Sequence, residues 1–118
     1  YTLEHYEYLN GEMLELYEAL RKRILNIDSS VRVEYKKRYI AFKSQTNFVD
    51  IVPQKSRLRL SLNMEYADII DPEGWCRDAS NIGKYGNGDV EVGFNNLNQL
   101  EYIMFLIQQA FDLQFVEN

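Results

Sequence analysis

This sequence predicts an α+β fold: an antiparallel meander sheet of about five strands, with N- and C-terminal helices packed on one face. Apolar residues recur at three- and four-residue steps near both ends of the chain and at two-residue steps between them. Short turn-forming runs separate the alternating stretches, which makes successive strands antiparallel. Helices supplied by the two ends then share one face of the sheet.

The first helix shows in Met13, Tyr17, Leu20, Ile24 and Ile27, which form one stripe. Glu12, Glu15 and Glu18 precede Arg21, Lys22 and Arg23, the order the helix dipole favours. Asp28-Ser29-Ser30 ends it. Residues 31–35 alternate, with Val31, Val33 and Tyr35 on one side. Lys36-Lys37 turns the chain into 38–44, where Ile40 and Phe42 face away from Tyr39, Ala41 and Lys43. Thr46-Asn47 leads into 48–52, and Pro53-Gln54-Lys55-Ser56 suits a hairpin turn with proline at its first central position. Alternation is clearest in 57–64: Leu58, Leu60, Leu62 and Met64 point one way, Arg57, Arg59, Ser61 and Asn63 the other. A short helix at 65–70, a turn at Asp71-Pro72-Glu73-Gly74 and a core-edge plug at Trp75 follow. Residues 82–88 form a glycine-rich loop and 89–94 a fifth strand. The last helix starts near Asn96 with Gln99 as capping-box partner, and buries Leu100, Ile103, Met104, Ile107 and Phe111.

Length and composition fit one domain over residues 1–118, with a core that needs no staples. A single cysteine, Cys76, allows no intrachain disulfide and fits a reducing cytoplasm. With a single histidine, His5, a histidine-based metal site is not expected, nor is a metal or cofactor. The longest wholly apolar run, Ile103 to Ile107, is too short to span a bilayer, and no signal-peptide pattern is present. The chain begins at Tyr1 and is helical in character almost at once, as in a module cut from a longer protein.

Charge is divided along the chain. From Arg21 to Arg59 there are 11 Lys/Arg against three acids, Asp28, Glu34 and Asp50, although the whole chain carries −5. A basic band of strands suits an anion, a nucleic acid or an acidic protein face. Lys37, Tyr39, Lys43, Lys55, Arg57 and Arg59 are the candidate contacts, cations for phosphate and a ring for base stacking. The alternative is that these bases only keep strand edges soluble. A pI of 4.9 speaks against a generic nucleic-acid binder.

Other motifs are weaker. In the glycine loop, Lys84, Tyr85, Asn87 and Asp89 are candidate ligand contacts, but the Gly-Lys-Ser/Thr ending of a phosphate loop is missing. Glu34-x-Lys36 with Asp28 or Asp50 has the residue types of a Mg²⁺ nuclease, yet Asp28 sits at a helix end, and Glu34 better suits a cross-strand base. Cys76 beside Arg77 lacks a nearby histidine base and reads as a half-buried structural thiol. No catalytic set emerges.

The blocks Lys37-x-Tyr39-Ile40-Ala41-Phe42-Lys43, Asn47-Phe48-Val49-Asp50-Ile51-Val52-Pro53-Gln54-Lys55, Leu58-x-Leu60-x-Leu62-Asn63-Met64, Gly86-Asn87-Gly88-Asp89-Val90-Glu91 and Met104-x-Leu106-Ile107-x-Gln109 resemble an uncharacterised bacterial domain family labelled "predicted transport protein". The resemblance covers nearly the whole chain. It extends to the C-terminal module of long proteins that join a ParB-like domain to an HNH nuclease domain, similar to modification-dependent restriction systems. Where the family's glycine loop carries His-Trp, this chain has Lys84-Tyr85. The resemblance implies a non-catalytic accessory domain of a DNA-defence nuclease, with DNA and the parent protein's other domains as partners. It carries over no catalytic or binding residue. The competing expectations are a protein-interaction or homodimerisation module with an acidic partner and, third, a small-ligand domain.

Overall fold

Helix α1 spans Gly11–Leu25 and helix α2 spans Leu100–Leu113 in the computed structural model, which describes residues 1–81 and 88–116. Between the helices run β1 (Arg32–Tyr35), β2 (Ile40–Lys43), β3 (Asn47–Pro53), β4 (Leu58–Leu62), β5 (Arg77–Asp78) and β6 (Val90–Phe94). They form one sheet in the order β1-β2-β3-β4-β6-β5, and every pairing is antiparallel. The fold is therefore α+β, as expected, with six strands in place of about five. The added strand, β5, is too short for alternation to announce it. It exists because β6 offers it an edge.

Pairing aligns apolar residues into rows. Val33, Phe42, Val49, Leu62 and Val90 make one row; Tyr35, Ile40, Ile51, Leu60 and Val92 make the next. Cross-strand partners point to the same face, so one face of the sheet is apolar throughout. Both helices lie on it. Tyr17 of α1 meets the Tyr35 hydroxyl at 3.1 Å, and Phe111 of α2 packs edge-on against Phe48. Leu58, Leu60 and Leu62 are fully buried there, each contributing about 1.5–3 kcal/mol by leaving water. Between Phe42 and Lys43 the register slips. The extra residue in β3 brings Phe48 as well as Val49 into the core.

The expected capping box forms on the 3₁₀ turn Leu97–Gln99 that leads into α2. Asn96 accepts from the Asn98 N–H, and the Gln99 side chain takes the Asn96 N–H at 3.2 Å. Other details differ. Pro53 is the last residue of β3, paired with Leu58, and the turn closes from the Gln54 N–H to the Arg57 carbonyl at 2.9 Å. Proline is tolerated at a strand end because its ring replaces only a terminal donor. The expected helix at 65–70 is a single 3₁₀ turn, Tyr66–Asp68. Trp75 does not plug the core: it is 39% exposed and lies against the Tyr102 ring. Among the described residues, no helix is long and apolar enough to cross a membrane.

Candidate functional site

The alternation that sends the β4 leucines to the helices sends Arg59 and Ser61 to the other face. Across that face one register row reads Glu34, Ala41, Asp50, Ser61, Glu91, Arg77. The basic face expected from the strands is therefore a mixed one. Carboxylates from three different strands are set among the bases.

Glu91 is the centre of the largest group. Its side chain is 7% exposed and sits among three guanidinium groups. Arg77 binds it with two nitrogens, at 2.9 and 3.3 Å. Arg57 approaches at 3.5 Å and Arg59 at 4.0 Å. Arg57 is held further by the Gln54 side chain, which accepts its Nε–H at 2.8 Å. It also lies across Gly93, where a Cβ would stand 3.0 Å from Arg57 Nη1. Arg59 Nε is buried without a hydrogen-bond partner among the described residues, a donor whose desolvation is uncompensated.

Arg57 and Arg59 are not buried with the β4 leucines, as expected, yet neither stands free in water. Arg59 is largely covered and Arg57 partly so, and both lean on an acid. A charge-assisted hydrogen bond from Arg57 and the ion pair with Arg59 hold both guanidinium groups to the desolvated carboxylate, against the sheet.

The second group lies at the β1–β2 edge. Glu34 accepts from Lys43 at 3.0 Å and stands 3.4 Å from Lys36. The Lys43 hydrogen bond holds the Glu34 carboxyl below the usual glutamate range. Glu34 thus has the cross-strand base expected of it. Asp50, in the middle of the face, is 1% exposed and accepts from Asn47 Nδ2 at 2.8 Å. Asp28 is spent on Ser30 at the end of α1 and takes no part. Among the described residues no group of three or more His, Cys, Asp or Glu side chains is placed to hold a metal ion.

Lys37 and Lys55 do not join the face. They lie in the β1–β2 and β3–β4 turns at one end of the sheet, beside the N-terminal segment. The Lys37 carbonyl meets His5 Nε2 at 2.8 Å, and Lys55 lines a shallow groove with Tyr8 and Glu12. Tyr39 precedes β2 and is half-buried; its carbonyl accepts from the Tyr6 hydroxyl at 3.1 Å. Lys84, Tyr85 and Asn87 lie outside the described residues. Asp89 is described: its carbonyl accepts the Ala79 N–H at 2.8 Å. Cys76 is buried, and burial together with the Asp71 charge pushes its thiol up to about 12, which leaves it a poor nucleophile at neutral pH.

Sequence reasoning missed Arg77 and Glu91 as partners. Alternation marks Glu91 as the polar side of its strand, between Val90 and Val92. Nothing local says that β6 pairs with β4 and brings Glu91 beside Ser61.

On strand positions of this face, and at Arg57 beside them, five bases (Arg32, Lys43, Arg57, Arg59, Arg77) meet three carboxylates (Glu34, Asp50, Glu91). The excess is positive and is concentrated around Glu91.

The family described as "Domain of unknown function (DUF5655)" has a model that matches residues 4–114. The chain is also similar to an uncharacterized protein of Haemophilus influenzae, with 42% identity over 96 residues, 81% of this chain and 32% of that protein. The chain thus spans about a third of the length of the curated relative it matches. No solved structure matches it.

Proposed function

The chain belongs to that family of domains of unknown function, and from this premise we propose that it is a non-catalytic accessory module of a longer cytoplasmic protein, contacting nucleic acid through the sheet face away from its helices. The observation that carries the reading is the arginine group around Glu91. Arginine forks match phosphate oxygens in pairs, and here three of them are held by one desolvated carboxylate. Side chains already ordered lose less entropy when an anion arrives. One carboxylate cannot neutralise three guanidinium groups, so the group keeps two positive charges. The resemblance to C-terminal modules of ParB-like/HNH proteins supports a restriction-type DNA nuclease as the parent in this reading, with the domain positioning it on DNA. An acidic chain with one modest basic face is expected to bind weakly alone and to gain from attached domains through effective concentration.

The test is a titration of labelled single- and double-stranded DNA, plain and base-modified, at low and moderate salt. Binding should weaken as salt rises. Arg57→Ala with Arg77→Ala should flatten the slope of log K against log salt by about 0.7–0.9 per lost contact. Binding to none of these DNAs would shift the reading to the competing one, a protein-interaction module whose partner presents carboxylates.

A further inference from the structure

The side of the molecule built from α2 and residues 65–75 has the opposite character, and we propose that it docks a basic amphipathic helix of a partner protein. Its surface is aromatic and exposed. The rings of Trp75 and Tyr102 lie 4.3 Å apart and those of Tyr102 and Phe105 5.6 Å apart, a continuous run of three. Phe105 is 43% exposed, Ile70 is 65%, and Leu113 extends the strip at 40%. Exposed apolar surface joined in this way marks a contact site more often than scattered single residues do.

The strip is also rigid. Tyr102 donates to Asp71 and accepts the Glu73 N–H at 3.0 Å, and Asp71 takes the Cys76 N–H at 2.8 Å. Gln109 binds Ile70 at both its N–H and its carbonyl. The segment bearing Ile70 and Trp75 is thereby fastened to α2 at Tyr102 and Gln109, about one turn to either side of Phe105. A platform ordered in advance binds at a lower entropic cost.

Charge selects the occupant. Residues 60–76 and 93–116 contain no Lys, Arg or His, and their acids near the strip are Glu65, Asp68, Asp71, Glu73, Glu101 and Asp112. Two bases neighbour these segments, and both are engaged: Arg23 by Glu101 at 2.5 and 3.1 Å, and Arg77, which follows Cys76, by Glu91 on the sheet at 2.9 and 3.3 Å. Phosphate-bearing partners, nucleic acid and anionic lipid alike, are repelled. Lysines or arginines flanking an apolar stripe are attracted, and each cation can also pair with an aromatic face. From Tyr102 to Leu113 the strip runs about 16 Å at ~1.5 Å per residue, the length over which a docked helix places anchors at i, i+3/i+4 and i+7.

Trp75 is the chain's single tryptophan and reports directly from the site. The probes are three peptides of about 18 residues, ~27 Å as helices: amphipathic Leu/Lys, amphipathic Leu/Glu, and a Ser/Lys peptide with the charge of the first. The Leu/Lys peptide should change Trp75 emission saturably at one-to-one stoichiometry, and the Leu/Glu peptide should not. The Ser/Lys peptide, and the variants Phe105→Ser and Ile70→Ser against Leu/Lys, should each bind about tenfold or more weakly, as expected for loss of anchors. Circular dichroism should show both variants folded. No response to Leu/Lys, equal binding of Ser/Lys, or full binding by both variants overturns the proposal. So does self-association of the free chain that Phe105→Ser abolishes, since the occupant is then a second copy.

Discussion

Gln109 holds Ile70 by both ends of its side-chain amide. Its Oε1 accepts the Ile70 N–H at 2.8 Å and its Nε2 donates to the Ile70 carbonyl at 2.9 Å. The two residues are 39 positions apart, and the pair does the work of a strand bridge without a strand. It fastens the long connection after β4 to the outer edge of α2. Gln109→Ala should cost about 1 kcal/mol, the net worth of such bonds near water. The urea midpoint should fall with an unchanged slope, and the Ile70 amide should exchange faster than in the parent chain.

A second fastening depends on pH. Burial raises the Asp71 carboxyl, but the Tyr102 hydroxyl and the Cys76 N–H outweigh it, and the group titrates below its ordinary value. A depressed carboxyl stabilises the folded state above the unfolded-state pKa, and that contribution is lost as pH falls through the folded one. The fastening is therefore complete at neutral pH. Trp75 emission should hold its neutral-pH value as ordinary aspartates protonate and change only at lower pH. In Asp71→Asn that acid step should vanish. If emission follows an ordinary aspartate titration instead, Asp71 is not held as described.

Removing Glu91 leaves three guanidinium groups without their shared acid. Deleting one partner of a fully buried pair costs about 3–5 kcal/mol. These arginines are partly hydrated, so Glu91→Gln should cost less, about 2 kcal/mol by thermal or urea unfolding. It also adds one positive charge to the face. If the face binds nucleic acid, Glu91→Gln should tighten low-salt binding while lowering stability, a pairing of effects that a purely structural cluster does not give.

Two glycines, Gly88 just before β6 and Gly93 within it, should respond very differently to alanine. Gly88 has φ +97°, and a Cβ there would lie 1.9 Å from the Leu62 carbonyl oxygen. Backbone on backbone cannot yield, so Gly88→Ala should cost about 3 kcal/mol or more, combining strain with displacement of β4. At Gly93 the added carbon meets only the Arg57 side chain, 3.0 Å from Nη1. Gly93→Ala should leave stability within about 1 kcal/mol and push the Arg57 guanidinium outward. Unfolding midpoints of the two variants compare these outcomes directly.

Much of the candidate face was legible only in part. The residue types were visible, since Arg57 and Arg59 alternate against Leu58 and Leu60. Their environment was not, because exposure depends on what the neighbouring strand carries. Arg57, Arg59 and Arg77 come from two strands, or their margins, that both pair with β6, and Glu91 comes from β6 itself. The β4–β6 pairing joins segments separated by all of residues 63–89. Trp75 shows the same limit: its size suggested a core plug, but its place is decided by the Tyr102 ring on a helix far along the chain.

The sequence by itself determined both helices, the four-strand meander, the β6 strand, the helix-facing leucines and the Asn96–Gln99 capping box. Each is written in local periodicity or in contacts a few residues apart, where hydrophobic spacing and turn chemistry act directly. Only the tertiary structure decided the strand order β4-β6-β5, the convergence of three arginines on Glu91 and the acidic aromatic surface along α2. Those follow from register and packing between distant segments, where the desolvation of a charge and the contact of two rings depend on partners that no local pattern names.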